Sequence, residues 1–334
     1  MNVSLINSLI STILAYSVVF SFMLNAQQPS KDDIPMNFCD LSLIYNPSFT
    51  FSLPETMMKD FLSGKAFGRT VEYTDEEKLQ LQNDINTIGN NIFSSLPTRE
   101  KVAVMTAGAP GAGKTIKMKQ ELESYRQAGK NYAYICPDDV CLKQMNTTFL
   151  AGNETGLEAY NKWRPGSNAA AHLILANLIR EGAAFFFGTT STSPATHFFF
   201  NFLKKQDYRI KLIHISAPDN VRWESIKERD KSFVQTTEED IIQKGKMLPE
   251  RINDTYLKFA DEIEFCYRDG VDQDAVLAAR WIRTGDAREM SGSLEIVDHE
   301  RYDKIKTIHN VAIEALNKPE LSWENTVELS SSFK

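Results

Sequence analysis

The stretch Lys101–Gln120, KVAVMTAGAPGAGKTIKMKQ, decides how the rest of the chain is read. Gly108 is followed by four residues and then Gly113-Lys114-Thr115, the full G-x-x-x-x-G-K-[ST] spacing of a phosphate-cradling loop. Upstream, Val102, Val104 and Met105 make the short apolar run that a buried parallel strand needs. Downstream, Thr115 to Ala128 reads as a helix stopped by Gly129. Glycines at 108, 111 and 113 let the main chain turn tightly and aim its N–H groups inward. With the positive end of the following helix, Gly108-Ala109-Pro110-Gly111-Ala112-Gly113-Lys114-Thr115 is expected to hold a polyphosphate. Lys114 would reach the β- and γ-phosphates and the Thr115 hydroxyl would face Mg²⁺, so ATP with magnesium is the expected ligand. The alternative is a glycine-rich turn that binds nothing. The order strand, loop, helix argues against it.

Outward from this loop the pattern alternates. Thr74–Ile92 reads as a helix capped by Thr74 and Glu77, with Leu79, Leu81, Ile85 and Ile88 on one face. After the loop come strand Tyr132–Ile135, helix Asn168–Arg180, strand Ala183–Phe187, helix Ala195–Lys205, strand Arg209–Ile215 and helix Asn220–Arg229. Met145–Trp163 gives few signals. Thr236 and Glu239 form a second capping-box pattern before a long helical stretch to Ile263 and a strand Glu264–Tyr267. Such alternation predicts an α/β fold: a P-loop NTPase-type parallel sheet flanked by helices, binding ligands at the carboxyl ends of its strands. The expected organisation is an apolar segment 1–30, an irregular proline-bearing linker 31–70, the loop-bearing domain 71–270, and a mostly helical C-terminal extension 271–334. In that extension Asp303–Leu316 is the clearest helix.

Composition narrows the partners. The chain has 334 residues and a net charge of −7, with a pI near 5.4. A nucleic-acid surface would need a basic stripe, so RNA and DNA are disfavoured as acceptors. The four cysteines, Cys39, Cys136, Cys141 and Cys266, have no C-x-x-C spacing and read as reduced thiols. Residues 1–30 carry no charged side chain, and Val3–Leu24 is largely apolar. An export signal, a membrane anchor and a partner-packed helix each fit that segment. Dependence on ATP favours a cytoplasmic site of action.

Polar clusters fall at the predicted strand ends. In YAYICPDDVC, Asp138 is the expected base for an acceptor hydroxyl, while Asp139 fits a helix cap or a substrate contact. In FFFGTTSTS, Thr189, Thr190, Ser191 and Thr192 suit either substrate contact or turn chemistry. Arg229, in SIKERDKSF, is suited to a transferring phosphate. The alternative is a solvated face shared with Arg222 and Lys227. Arg164, in KWRPG, is a further substrate candidate, and Lys244, Lys246 and Arg251 could add positive charge.

The chain resembles the zeta-toxin family of P-loop kinases. The resemblance is carried by GAPGAGKT at 108–115, CPDDV at 136–140, FFFGTTS at 185–191, the Arg229 region and ERINDTYLKFADEIEFCYRDG at 250–270. It covers roughly residues 70 to 270, and only the phosphate loop is highly specific. It implies a kinase acting on a small hydroxyl-bearing molecule, with a UDP-sugar such as UDP-N-acetylglucosamine the first acceptor to test, and an antitoxin-like protein partner. By position it implies Lys114 on the phosphates, Thr115 on magnesium, Asp138 as catalytic carboxylate, Thr189 on substrate and Arg229 on the transferring phosphoryl group. Two departures stand out. Where the family commonly has a Glu beside the threonine, this chain has Phe187 and Gly188. Where a second arginine often follows, it reads Lys231-Ser232-Phe233-Val234-Gln235. The leading reading is therefore an ATP-dependent phosphotransferase; the alternative is an ATP-binding switch that transfers phosphate to nothing.

Overall fold

Helix α1, Asp75–Ser94, precedes the sheet. The expected capping box forms: the Glu77 N–H donates to the Thr74 hydroxyl at 3.2 Å, and the Thr74 N–H donates to the Glu77 carboxylate at 2.8 Å. Ile85 and Ile88 are buried, but Leu79 faces solvent, so the apolar face is narrower than the spacing predicted. The computed structural model describes residues 73–145, 156–193, 195–231, 236, 238–285 and 291–309, and a short antiparallel pair, β1 Lys65–Ala66 with β2 Arg69–Thr70. The expectations for residues 1–64 and 310–334, Cys39 among them, lie outside the described residues.

The alternation of strand and helix then runs as the sequence predicts. Strand β3, Val102–Ala107, leads through the phosphate loop into α2, Lys114–Gln127. There follow β4 Ala133–Ile135, a π-helical turn Pro137–Leu142, α3 Gly156–Arg180, β5 Phe185–Phe187, α4 Ala195–Lys205, β6 Arg209–Ser216 and α5 Asp219–Asp230. Helix α6, Glu238–Arg251, continues through a π turn Ile252–Tyr256 and a last helical turn Leu257–Phe259 into β7, Glu262–Tyr267. Strands β8, Val276–Arg283, and β9, Gly292–Ile296, and helix α7, His299–His309, complete the described part.

One seven-stranded sheet has the order β4-β5-β3-β6-β7-β8-β9. From β4 to β7 every pairing is parallel, as the α/β reading requires. Strand β3 sits between β5 and β6, so the chain changes direction across the sheet at β3. The crevice beyond its carboxyl end is where open parallel sheets bind ligands. Alternate residues of the central strands serve opposite faces. Val104, Phe186 and Ile213 pack against Met118 and Leu122 of α2. Met105, Phe185, Phe187 and Leu212 pack with Ile174, Leu175 and Leu178 of α3.

Three expectations are corrected. The C-terminal extension is not mostly helical over its first part: β8 and β9 add two antiparallel strands to the edge of the sheet. The run AVLAARWIR has helix-forming composition, yet pairing with β7 and burial of Ala278, Ala279 and Trp281 override that preference. Helix α3 begins at Gly156, well before Asn168, and absorbs Pro165 inside it. The helical stretch expected to reach Ile263 ends at Phe259, and its strand begins at Glu262. Cys136, Cys141 and Cys266 are buried free thiols. Among the described residues, no helix is long and apolar enough to cross a membrane.

Candidate active site

The phosphate loop has little freedom to be anything but glycine-rich. Gly108 and Gly111 have φ of +135° and +83°, in the left-handed region that side chains avoid. A Cβ on Gly108 would stand 2.3 Å from the Ile215 carbonyl oxygen, and one on Gly111 would stand 2.4 Å from that of Arg222. The loop therefore lies directly on the backbone of β6 and α5. Two arginines hold it from outside. Arg222 Nε donates to the Pro110 carbonyl at 3.0 Å, and Arg268 Nη1 donates to the Gly111 carbonyl at 3.3 Å. Inside, the Gly108 N–H donates to the Thr190 carbonyl at 3.1 Å, tying the loop to the segment after β5. Lys114 Nζ donates to the Ala109 carbonyl at 2.8 Å. Withdrawal from solvent, reinforced by Lys244, Arg222 and Arg229, pulls its ammonium down to about 7.

A cavity of about 840 Å³ opens in front of this loop, at the carboxyl ends of the parallel strands. Lys114 and Thr115 line it from α2, Asp138 from the turn after β4, Arg164 from α3, Thr189 and Thr190 from the segment after β5, and Arg229 and Lys244 from α5 and α6. The structure thus brings together most of the residues singled out in the sequence. Asp138 forms an ion pair with Arg164. Arg229 binds the Asp230 carboxylate through Nε and Nη2, at 2.9 and 2.7 Å.

Asp139 is the exception. Its carboxylate pairs with Lys119 at 2.8 Å and accepts from the Tyr134 hydroxyl at 2.9 Å, off the cavity wall. Neither aspartate caps the turn that follows β4. The Cys136 thiol does so, accepting from the Asp139 N–H at 3.4 Å. The Thr189 hydroxyl accepts from the Ser191 N–H at 3.2 Å, so turn chemistry holds it at the cavity edge. The Thr106 hydroxyl and carbonyl bond Thr189 and Ser191 at 2.7–3.0 Å, and Tyr256 donates to the Ser191 carbonyl at 2.6 Å. This segment is a rigid wall.

The absent acidic residue after β5 has a packing explanation. A Cβ on Gly188 would meet Met118 Cε at 2.6 Å and Cys136 Sγ at 2.9 Å, so a longer side chain there would have to displace the Met118 and Cys136 side chains. Phe187 is buried edge-on against His172 and Phe199. Arg222 is not on a solvated face: it is buried beneath the loop. Lys227, by contrast, pairs with Glu224 on the surface. Of the further cations, Lys244 reaches the cavity, whereas Arg251 pairs with Asp254 and Glu250. Arg268 was missed, although a charged residue directly after a predicted strand, in CYRDG, is a legible signal for a site residue. Asn168 and His172 were missed because they sit inside an apolar helix pattern.

Strand order and loop define a P-loop kinase-like α/β fold. Within that class the chain belongs to the zeta toxin family, whose model matches residues 85–278. Among curated proteins none matches it in sequence. The native AvrRxo1-ORF1:AvrRxo1-ORF2 complex shares the fold, at 12% identity and TM-score 0.53, covering 78% of this chain and 89% of that one. A form of that complex with ATP gives 12% identity and TM-score 0.46, over 83% and 88%. The PezAT chromosomal toxin–antitoxin system of Streptococcus pneumoniae gives 15% identity and TM-score 0.44, over 61% and 82%.

Proposed function

We propose that this protein is an ATP-dependent phosphotransferase that moves the γ-phosphate to a hydroxyl of a small molecule, and that it acts as a toxin. The observation that carries the reading is one cavity lined both by Asp138 and by Lys114 and Thr115 of the phosphate loop. Its volume of about 840 Å³ is near the upper end of ligand pockets, about 300–1,000 Å³, and suits two substrates side by side.

The triphosphate would lie along the loop, its charge met by Lys114 and the N-terminus of α2. The residues present fit a magnesium ion. The Thr115 hydroxyl lines the cavity beside the loop, and Mg²⁺ needs only one or two protein groups when phosphates and water complete its shell. When bound, it would neutralise charge on the β- and γ-phosphates. Asp138 would orient the acceptor hydroxyl and take its proton as the acceptor oxygen bonds to the γ-phosphorus. The bond from that phosphorus to the β-bridging oxygen breaks, and ADP leaves. Arg229 and Lys244 would meet the charge spread over the equatorial oxygens. A UDP-sugar is the first acceptor to test, and an antitoxin-like protein would be the natural restraint on such an activity.

A second reading, an ATP-binding switch without transfer, is favoured by one observation: the place of a family carboxylate is filled by buried Phe187 and tightly packed Gly188. The test is label from γ-labelled ATP with Mg²⁺, offered UDP-N-acetylglucosamine and a deproteinised cell extract. Label entering the small-molecule fraction with the unaltered protein, and a loss of about 10²–10⁴-fold with Asp138→Asn, supports the kinase. ATP binding with no transfer to either acceptor source supports the switch.

A further inference from the structure

Two polar side chains in the cavity are buried without partners. Asn168 is 6% exposed and its Nδ2 has no hydrogen bond; Thr236 is 7% exposed and its hydroxyl has none. Thr236 was expected to cap α6, so its unpaired hydroxyl departs from the capping-box pattern. A buried polar group left unpaired costs about 1–3 kcal/mol. The same helix shows how easily that cost is avoided: Asn177 turns its Nδ2 onto the Leu173 carbonyl one turn back, at 2.9 Å. Asn168 has no such bond. The Arg164 carbonyl, one turn back from it, already accepts from the Ser167 hydroxyl at 2.9 Å.

Position says which substrate Asn168 would meet. On α3 it lies one turn after Arg164, which pairs with Asp138, and one turn before His172. All four line the cavity, so Asn168 stands at the Asp138 end rather than over the phosphate loop. Beside it His172, Phe187 and Phe199 meet edge to face, with ring centroids 5.9–6.2 Å apart. Burial holds His172 down to about 4, so this wall is uncharged at neutral pH.

Resting on the phosphotransferase reading, we propose that Asn168 is a specificity-determining residue of the acceptor subsite. A turn of the Asn168 side chain would bring Nδ2, sealed from solvent as it stands, against a hydrogen-bond-accepting oxygen of the acceptor, whose flat apolar ring face would lie against Phe187, Phe199 and His172. Recognition would therefore use a neutral amide and an aromatic wall. A ring-bearing acceptor with a carbonyl or hydroxyl oxygen near its reactive hydroxyl fits that chemistry, and an open-chain polyol does not.

The test measures label transfer by the full chain from γ-labelled ATP with Mg²⁺. The acceptor probes are UDP-N-acetylglucosamine, a set of purified nucleosides, glycerol as an open-chain polyol, and a deproteinised cell extract. The unaltered protein is compared with Asn168→Ala and the isosteric Asn168→Asp. The acceptor concentration for half-maximal transfer should rise at least tenfold in both variants, and more in Asn168→Asp. Half-saturation by ATP should move less than twofold. The inference is overturned if the acceptor dependence of both variants matches the unaltered protein, if ATP and acceptor weaken in parallel, or if glycerol is labelled as well as the ring-bearing probes. If the unaltered protein binds ATP but labels nothing, the phosphotransferase reading falls and takes the subsite with it. Transfer that is indifferent to position 168 removes the subsite alone.

Discussion

Arg222 Nε lies 3.0 Å from the Pro110 carbonyl oxygen, and that bond helps fix which way the phosphate loop faces. The peptide is planar, so a carbonyl drawn toward the arginine turns the Gly111 N–H the opposite way. Arg268 does the same to the next carbonyl from the end of β7. Both guanidiniums are buried, so each bond is charge-assisted and shielded from water. Arg222→Met keeps much of the volume and removes the donors, leaving the Pro110 carbonyl without this partner at a cost of about 1–3 kcal/mol. Titration calorimetry should show ATP binding weakened by about tenfold or more. Unchanged affinity would mean the loop holds its shape without the clamp.

Lys114 gives a prediction about protons. Burial, then Lys244, Arg222 and Arg229, hold its ammonium at about 7. The unfolded chain would keep that proton to about 10.4. Folding is thus penalised by the buried charge below about pH 7, and the penalty is relieved as pH rises from there toward 10. Phosphate oxygens beside Lys114 would restore its charge, so ATP binding at pH 8 should take up close to one proton. Calorimetry in buffers of different ionisation enthalpy reads that number directly. Lys114→Met should lose both the uptake and phosphate transfer while its melting temperature holds or rises.

Asp138 and Arg164 should behave as a coupled pair. The Arg164 side chain is 10% exposed and that of Asp138 is 32% exposed. Removing the arginine alone leaves a half-buried carboxylate unpaired, while removing both leaves none. Arg164→Leu is therefore expected to destabilise the fold by about 1–3 kcal/mol, with part of the loss recovered in Arg164→Leu with Asp138→Asn. Urea unfolding of the two single variants and the double variant measures the coupling. Additive effects would show that the pair does not contribute as a pair.

The sequence made the parallel part of the sheet legible because each β–α unit carries its own punctuation. The glycines of the phosphate loop, the Thr74–Glu77 cap and the apolar runs of β3 and β6 are local signals that the fold keeps. Strands β8 and β9 were not legible, because VLAARWIR becomes a strand only by pairing with β7. Among the candidate site residues, Asp138, Thr189 and Thr190 stand out in the sequence by their places after strands and Arg229 by its place at a helix end, and the structure sets them on one cavity with Arg164, which the sequence offered only in KWRPG. Arg222 and Lys227 look alike in the sequence, and only the packing of α5 under the loop tells them apart. Asn168 carries no pattern at all. What sets it apart is a hydrogen bond that its Nδ2 does not make in the folded chain.

Behind the loop, Ser216 Oγ and His309 Nε2 are 2.7 Å apart, and the His214 ring lies 5.0 Å from that of His309. Burial, then Arg222, holds His309 down to about 4. Burial, then His309 and Lys114, holds His214 well below its usual range. The unfolded chain protonates these rings near 6.5. Between about 6.5 and 4 the unfolded state binds more protons, so stability is complete above that window and is lost as pH falls through it. Each histidine contributes a slope of up to about 1.4 kcal/mol per pH unit. His309→Gln keeps a polar partner for Ser216 and cannot take a proton. Between pH 7 and pH 5 it should lose about 2 kcal/mol less stability in urea than the unaltered protein. An equal loss would place the acid sensitivity elsewhere, with buried His172 the next residue to replace.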